Sequence, residues 1–130
     1  MGDRVNFGFK QGSGDIIFLY QHWGGWRHSR RLAEALDAAQ PRLGDIGYAT
    51  RIVISRLIGD DWESLTGHGI YFNELCLGEY DVHVVDFYNN TVTLHREDET
   101  APRCIDEEPI WTMSIDDFVQ SELSKVLTEV

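Results

Sequence analysis

The sequence predicts an α+β fold, in which a mostly antiparallel sheet packs against two or three helices. Two observations support this class. Strand-like apolar runs occupy the start and the second half of the chain, and apolar residues at helical spacing lie between them and at the end. No linker, repeat or low-complexity tract interrupts the 130 residues, so we expect a single domain over 1–130.

The chain begins with a predicted antiparallel hairpin. Val5, Phe7 and Phe9 alternate with polar or small residues, which is the period of a half-buried strand. A second apolar run covers 16–20, and the glycine-containing segment 11–15 between the two runs is typical of a turn.

Two helices are predicted next. The first has apolar residues at helical spacing, namely Leu32, Leu36, Ala39 and Leu43, and Pro41 should end or kink it early. The second has a similar stripe, at Ile46, Ala49, Val53 and Leu57. Its β-branched segment 52–54 also suits a strand, but the stripe favours a helix.

A second hairpin is predicted over 81–96. Asn89 and Asn90 lie between two β-rich runs, and asparagine tolerates the positive φ of a two-residue turn. In that register Val85 faces Leu94, and one side of the hairpin is buried. The buried side carries Val85, Phe87, Val92 and Leu94, and the opposite side carries Val84, Asp86, Tyr88, Thr91, Thr93 and His95.

The chain ends with a predicted strand and helix. An acidic loop covers 97–108, and the segment 109–113 after it has the composition of a last strand. Ser114 and Asp117 have the spacing of a capping box, which predicts a helix start. The apolar face of this closing helix consists of Ile115, Phe118, Val119, Leu123 and Val126.

The net charge of −11 is distributed unevenly along the chain. Residues 1–56 carry a net charge of +3, whereas 57–95 and 96–130 each carry −7. This balance excludes an extended nucleic-acid surface, which needs clustered Lys and Arg. The basic part still suits one compact anion site or self-association of unlike faces, and solvated helix faces are the simpler alternative.

The absence of several known motifs limits where the protein is expected to be located and which reactions it is expected to catalyse. It has neither a membrane-length apolar run nor a signal-peptide core, so we expect a cytoplasmic protein with no membrane partner. It has no phosphate-binding loop, nucleophile elbow or metalloprotease helix, so we expect no catalytic residue, cofactor or metal. Cys76 and Cys104 lack the spacing of a zinc site or a disulfide framework.

One enzymatic interpretation stays open. The predicted hairpin makes Asp86 and His95 diagonal neighbours on one side of the sheet, within reach of a shared ligand. A metal-dependent nucleotide hydrolase is therefore the alternative to a binding protein.

The strongest candidate binding segment is 20–28. It places two indoles, two imidazoles and an arginine around a diglycine, and this combination suits a flat base with a phosphate. We expect the glycines to let a ligand or another chain approach the backbone closely. The alternative is that Trp23 and Trp26 fill the core.

Two further segments have residues suited to such a ligand. Phe72 and Asn73 follow a glycine-hinged stretch, where asparagine could bind a base edge or a ribose hydroxyl, or simply form a turn. Arg103 stands alone in the acidic loop, as either an ion-pair partner or a ligand clamp.

Three motifs resemble small proteins common in phages and their hosts, over about residues 4–95. They are Leu19-Tyr20-Gln21-His22-Trp23-Gly24-Gly25, Tyr48-Ala49-Thr50-Arg51 and Thr66-Gly67-His68-Gly69-Ile70. The chain is also similar to the first Thoeris anti-defence family. That resemblance implies a homo-oligomeric phage protein that sequesters the cyclic ADP-ribose signal of a bacterial immune system without cleaving it.

The same resemblance implies roles for particular side chains. Trp23 would stack on the adenine, with Phe72 and Asn73 at its other face and edge. Arg27 or Arg103 would meet the diphosphate, and Arg51 would meet a phosphate across a subunit contact.

The sequence thus predicts a cytoplasmic, homo-oligomeric binding protein for a small anionic nucleotide, with no extended nucleic acid as partner. Its candidate ligand-binding residues are His22, Trp23, Arg27, Arg51, Phe72, Asn73 and Arg103. We expect the acidic loop to close over the ligand. A protein-binding inhibitor of a host factor is a further alternative.

Overall fold

The computed structural model describes residues 2–125, which form a six-stranded sheet and three α-helices. The strands are β1 (Val5–Lys10), β2 (Ile16–Gln21), β3 (His68–Phe72), β4 (Val82–Asp86), β5 (Thr91–His95) and β6 (Trp111–Ser114). The helices are α1 (His28–Ala38), α2 (Ile46–Ile58) and α3 (Ile115–Leu123), with 3-10 turns at Gln40–Arg42 and Gly59–Glu63. The predicted α+β class and the predicted order of elements are confirmed.

The strand order is β3-β2-β1-β4-β5-β6. Neighbouring strands are antiparallel except β1 and β4, which are parallel. The parallel pair forms because the chain leaves β3 and crosses the sheet before it enters β4. The side chain of Asn6 on β1 holds this crossover: its Nδ2 donates to the Cys76 carbonyl at 2.9 Å, and its Oδ1 accepts from the Cys76 N–H at 3.3 Å.

All three helices cover one face of the sheet, and α1 lies between α2 and α3. The first hairpin is confirmed, with Phe7 opposite Leu19 in the buried layer. Both predicted helices are also confirmed. Helix α1 ends before the 3-10 turn that contains Pro41, because proline has no N–H to continue the helical ladder.

The second hairpin forms, but its predicted two-residue turn is wrong. Val85 pairs with Val92 rather than Leu94, so the turn has four residues, 87–90. The Asp86 carboxylate stabilises this longer turn by accepting from the Asn89 backbone N–H at 3.0 Å and from its Nδ2 at 2.8 Å. Because the partner shifts by two positions, each strand residue keeps its predicted side of the sheet.

The end of the described chain follows the prediction closely. Strand β6 begins at Trp111, two residues later than predicted, and Ser114 caps α3 by accepting from the Asp117 N–H at 3.0 Å. Val126, assigned to the same apolar face, lies outside the described residues. Among residues 2–125, no helix is long and apolar enough to cross a membrane.

None of the three helices within residues 2–125 covers the other face of the sheet. The segment 96–110, which includes the acidic loop, crosses part of it and is called the strap below. Arg103 fastens the strap to the crossover segment: its Nε donates to the Leu75 carbonyl at 3.2 Å, and its guanidinium forms an ion pair with Glu74 at 2.7 Å.

Candidate functional site

Two tryptophans stand out on the surface beyond the end of β2. Trp23 is 64% exposed and Trp26 is 65% exposed, so neither side chain fills the core. Both rings line a cavity of about 290 Å³, called the indole cavity below. Its other lining residues are Gln21, Gly24, Arg31, Leu57, Ile58, Asp61, Gly67 and His68.

The position of Trp23 is set by the segment that precedes β3. The backbone N–H of His22 donates to the Gly67 carbonyl at 2.9 Å, which places the two chain segments side by side. The indole lies against Gly67, where an added Cβ would be 3.2 Å from the ring. The His22 imidazole meets the indole edge-on, with ring centroids 4.5 Å apart. One exposed aromatic surface is thereby held in place before any ligand binds.

The diglycine does not leave open space for a ligand, contrary to our expectation. A Cβ on Gly24 would lie 2.5 Å from Oε1 of Gln21. A Cβ on Gly25 would collide with the ring of Tyr80 and the carboxylate of Asp3. The protein's own side chains occupy this space, so the two glycines are required for internal packing.

Arg31 is the cationic group of the indole cavity. Its guanidinium donates to the Gly24 carbonyl at 2.7 Å, to Oε1 of Gln21 at 3.0 Å and to the Leu57 carbonyl at 2.9 Å. These acceptors are all neutral, and no carboxylate of residues 2–125 lies within ion-pair distance of it. Burial lowers the pKa of Arg31, but an arginine remains charged near neutral pH. The cavity therefore contains a positive charge that has no ion-pair partner among these residues, and its lining also includes one carboxylate, that of Asp61.

A chain of hydrogen bonds leads from Arg31 to the far side of the cavity. Arginine can only donate, so the Gln21 amide must turn its oxygen to Arg31 and its nitrogen away. That nitrogen donates to the Leu57 carbonyl at 2.8 Å and faces Nδ1 of His68 at 3.2 Å. Nδ1 is then the acceptor, so the imidazole carries its proton on Nε2, which donates to Oδ2 of Asp61 at 2.7 Å.

The seven predicted ligand-binding residues do not meet in one cavity. Trp23 lines the indole cavity, and His22 supports it from behind. Arg27 precedes α1 and stacks on the Trp26 ring at 4.3 Å, in a neighbouring cavity of about 430 Å³ that shares Trp26 as a lining residue. Arg27 is connected to the indole cavity through Trp26, which lines both cavities.

Phe72 and Asn73 lie at the other end of the β2–β3 pair. The Asn73 amide accepts from the Ile16 N–H at 2.8 Å and donates to Asp15 at 3.0 Å, so it closes the start of β2. Trp23 follows the end of β2, roughly 20 Å away at strand geometry. Phe72 and Asn73 therefore cannot hold the other face of a base stacked on Trp23 within one chain.

The remaining two arginines are also remote from the indoles. Arg103, in the strap, pairs with Glu74 of the crossover segment, which matches the ion-pair alternative considered for it. Arg51 lies on the exposed side of α2. The strap itself borders a different cavity, so the acidic loop does not cover Trp23.

The cavity that the strap borders has a volume of about 520 Å³ and lies on the helix-free face of the sheet. Phe18 and Val84 form part of its apolar lining, and Lys10 lies near two acids, Asp86 and Glu107. With more carboxylates than cations, this larger cavity suits an anion less well than the indole cavity.

The predicted closeness of Asp86 and His95 is wrong. Asp86 pairs with Thr91 and His95 pairs with Val82, so the two residues lie at opposite ends of the hairpin strands. The Asp86 carboxylate binds the turn, and the His95 ring is bonded to the Asp106 carbonyl and the Thr93 hydroxyl. Within residues 2–125, no group of three His, Cys, Asp or Glu side chains is arranged to hold a metal ion.

The fold and the indole cavity together define an α+β protein with an aromatic, guanidinium-containing cavity, a kind of site that suits a small planar anion. No protein-family model matches the chain, and no curated protein or solved structure gives a significant match.

Four polar side chains of the cavity were not predicted as ligand-binding: Gln21, Arg31, Asp61 and His68. One signal was present for Gln21. It follows Leu19 by two positions on β2, so the strand period places a polar side chain on the buried face, and Gln21 is 1% exposed. A buried amide must find hydrogen-bond partners, which points to a polar network at that place. No local pattern predicts that Asp61 and His68 complete it.

Proposed function

We propose that this chain binds a small nucleotide-type anion in the indole cavity and sequesters it without cleaving it. The ligand is a cyclic ADP-ribose isomer, as the sequence resemblance implies, and the protein acts against a bacterial immune signal in the cytoplasm of a phage-infected host. The observation that carries the proposal is the guanidinium of Arg31, which has no ion-pair partner among residues 2–125, in a cavity lined by two exposed indoles.

The interactions available are of the right size for sequestration. Stacking of a base on an aromatic side chain contributes about 1–3 kcal/mol. Hydrogen bonds from a guanidinium to a phosphate oxygen add roughly 1.5–3 kcal/mol each. Micromolar binding corresponds to about −8 kcal/mol, which one stacked base and two or three such bonds reach in the upper part of these ranges.

The cavity is too small to hold the whole of cyclic ADP-ribose, so different parts of the ligand must contact different residues. A volume of about 290 Å³ suits a base with part of its sugar. The rest of the ligand then extends past Trp26 toward Arg27, whose guanidinium already lies 4.3 Å from the Trp26 ring. In this arrangement Trp23 stacks the base, Arg31 binds one phosphate and Arg27 lies near the second.

Calorimetric titration tests the proposal directly. Cyclic ADP-ribose is titrated into the wild-type chain and into Trp23→Ala, which should lose at least about tenfold in affinity because a stacking surface is removed. Trp62→Ala is the matched control, since Trp62 is 73% exposed but does not line the cavity. Absence of binding by any cyclic or linear nucleotide in a thermal-shift panel would refute the proposed function.

A second measurement separates sequestration from catalysis. The protein is incubated with cyclic ADP-ribose and denatured by heat, and the supernatant is chromatographed. Recovery of intact ligand is the expected result. A new product peak would support a hydrolase, and a single host protein captured from lysate, without nucleotide binding, would support an inhibitor of a host factor.

We also propose that the protein is a homo-oligomer. Strand β3 lies at one edge of the sheet, and its Ile70 and Phe72 side chains are largely exposed there. An apolar edge strand with free backbone groups favours pairing with another strand. Sedimentation velocity at micromolar concentration should give a mass above 14.9 kDa, and a monomer at every concentration would contradict this part of the proposal.

A further inference from the structure

We propose that the indole cavity recognises a ribose hydroxyl through the carboxylate of Asp61, so that its ligands are ribonucleotides rather than deoxyribonucleotides. The inference rests on the proposed function, because it specifies the ligand held in the same cavity.

One oxygen of the Asp61 carboxylate is held by the hydrogen-bond chain, and the side chain itself is 61% exposed. Its Oδ2 accepts from Nε2 of His68 at 2.7 Å, and His68 is fixed in turn by the Gln21 amide at 3.2 Å. Gln21 is held by Arg31 and the Leu57 carbonyl. The second carboxylate oxygen, Oδ1, has no hydrogen-bond partner among residues 2–125. Asp61 therefore presents an acceptor that has no protein partner at the edge of the cavity.

The two ends of this chain have opposite charge. Arg31 offers a cation to a phosphate, whereas Asp61 offers an anion that would repel a second phosphate. A carboxylate can only accept hydrogen bonds, so the ligand group beside it must be a donor. A ribose hydroxyl close to a phosphate satisfies both ends, and bonds of this charge-assisted kind are the stronger ones. A deoxyribose would leave the carboxylate facing an apolar carbon.

The same hydrogen bonds indicate that the pair formed by Asp61 and His68 orients a ligand and does not transfer a proton. Nδ1 of His68 accepts from Gln21, so the imidazole carries its proton on Nε2 and donates it to Asp61. Gln21 cannot reverse its amide, because its oxygen is required by Arg31. The pair is thereby held in one tautomer.

The experiment compares cyclic ADP-ribose with its analogues that lack a single ribose hydroxyl, by calorimetric titration. For the wild-type chain, removal of one particular hydroxyl should weaken binding at least about tenfold. In Asp61→Ala, cyclic ADP-ribose should bind as weakly as that analogue does to the wild type, and the two ligands should no longer differ. Asp60→Ala is the matched control: it removes the same charge one residue away, outside the cavity, and should keep the preference.

Asp61→Asn provides a second variant if the alanine variant unfolds. Its Oδ1 can keep the bond from His68, while its amide nitrogen takes the place of the acceptor that faces the ligand. A ribose hydroxyl can accept from this nitrogen but loses the charge-assisted bond, so the preference should become smaller. If wild-type protein binds all analogues equally, or if Asp61→Ala keeps the preference, the inference is overturned while the proposed function stands. If cyclic ADP-ribose does not bind at all, both fall.

Discussion

At the scale of single residues, Gly67 determines where the Trp23 indole can lie. Its φ of +93° belongs to the left-handed region, and an added Cβ would lie 3.2 Å from the Trp23 ring. We expect Gly67→Ala to destabilise the fold by about 1–2 kcal/mol through backbone strain and, separately, to weaken nucleotide binding by displacing the indole. Urea unfolding and calorimetric titration measure the two effects.

Gly14 supplies the control for this prediction. It has the same φ of +93°, but an added Cβ there meets no atom within 4 Å. Gly14→Ala should therefore show the strain without the loss of binding. If both variants bind cyclic ADP-ribose equally well, the contact with Gly67 does not position Trp23.

The sequence predicts single residues well only where their role is local. The Ser114 cap and the helix-ending effect of Pro41 depend on neighbours a few positions away, and both were predicted. The predicted length of the turn at Asn89 and Asn90 is wrong, because the side chain of Asp86, which lies outside this dipeptide, stabilises a longer turn. Asparagine at positive φ is common to both turns, so it does not distinguish them.

At the scale of elements, we expect the strap to be held against the helix-free face of the sheet by side-chain contacts. Arg103 joins it to the crossover segment through the Leu75 carbonyl and Glu74. Arg103→Ala should speed amide hydrogen exchange in the strap, because one of its side-chain attachments is lost. Affinity for cyclic ADP-ribose should not change, because Arg103 does not line the indole cavity.

Arg96→Ala is the matched control for the strap. It removes the same charge from the same segment, at an exposed position outside the contact with Glu74. It should leave exchange in the strap unchanged. If Arg103→Ala loses much of its nucleotide affinity and Arg96→Ala does not, Arg103 contacts the diphosphate, as the sequence resemblance implies.

Elements were predicted from the sequence more reliably than their arrangement. Periodicity predicted the first hairpin, both central helices and the closing helix, because each depends on contacts along a short stretch of chain. It did not predict the parallel pairing of β1 with β4, which depends on a crossover held by Asn6 and Cys76, 70 residues apart. The predicted site residues are separated in the structure for the same reason. The pairing of β3 with β2 places Trp23 and Asn73 at opposite ends of β2, and the sequence does not predict this pairing.

At the scale of the whole molecule, the helical layer and the sheet meet at His83. This β4 side chain is buried among the rings of His28, Trp111 and Phe118, at centroid distances of 5.5, 5.8 and 5.5 Å. Nε2 lies 3.2 Å from the Ser29 hydroxyl, and Nδ1 has no hydrogen-bond partner among the described residues. Burial, together with the nearby His28, lowers the pKa of His83 to about 3.

This burial should make the stability of the fold fall in mild acid. In the unfolded chain His83 takes up a proton near pH 6.5, whereas in the folded chain it resists protonation until about pH 3. Between these values the unfolded state binds more protons, so the free energy of unfolding decreases as pH falls, by up to about 1.4 kcal/mol per pH unit from this group. Above pH 6.5 the group contributes no pH dependence.

His83→Leu tests this prediction, because leucine keeps an apolar side chain in the same space and cannot titrate. Urea unfolding is measured for both proteins from pH 7 to pH 4, and the difference between them cancels the titration of the shared carboxylates. Between pH 6 and pH 4 the free energy of unfolding of wild type should fall by roughly 2–3 kcal/mol more than that of the variant. Only wild type contains a buried imidazole that stays neutral in the folded state and takes up a proton on unfolding. Parallel curves would mean that His83 is protonated in the folded state, which requires the junction of the two layers to admit a charge.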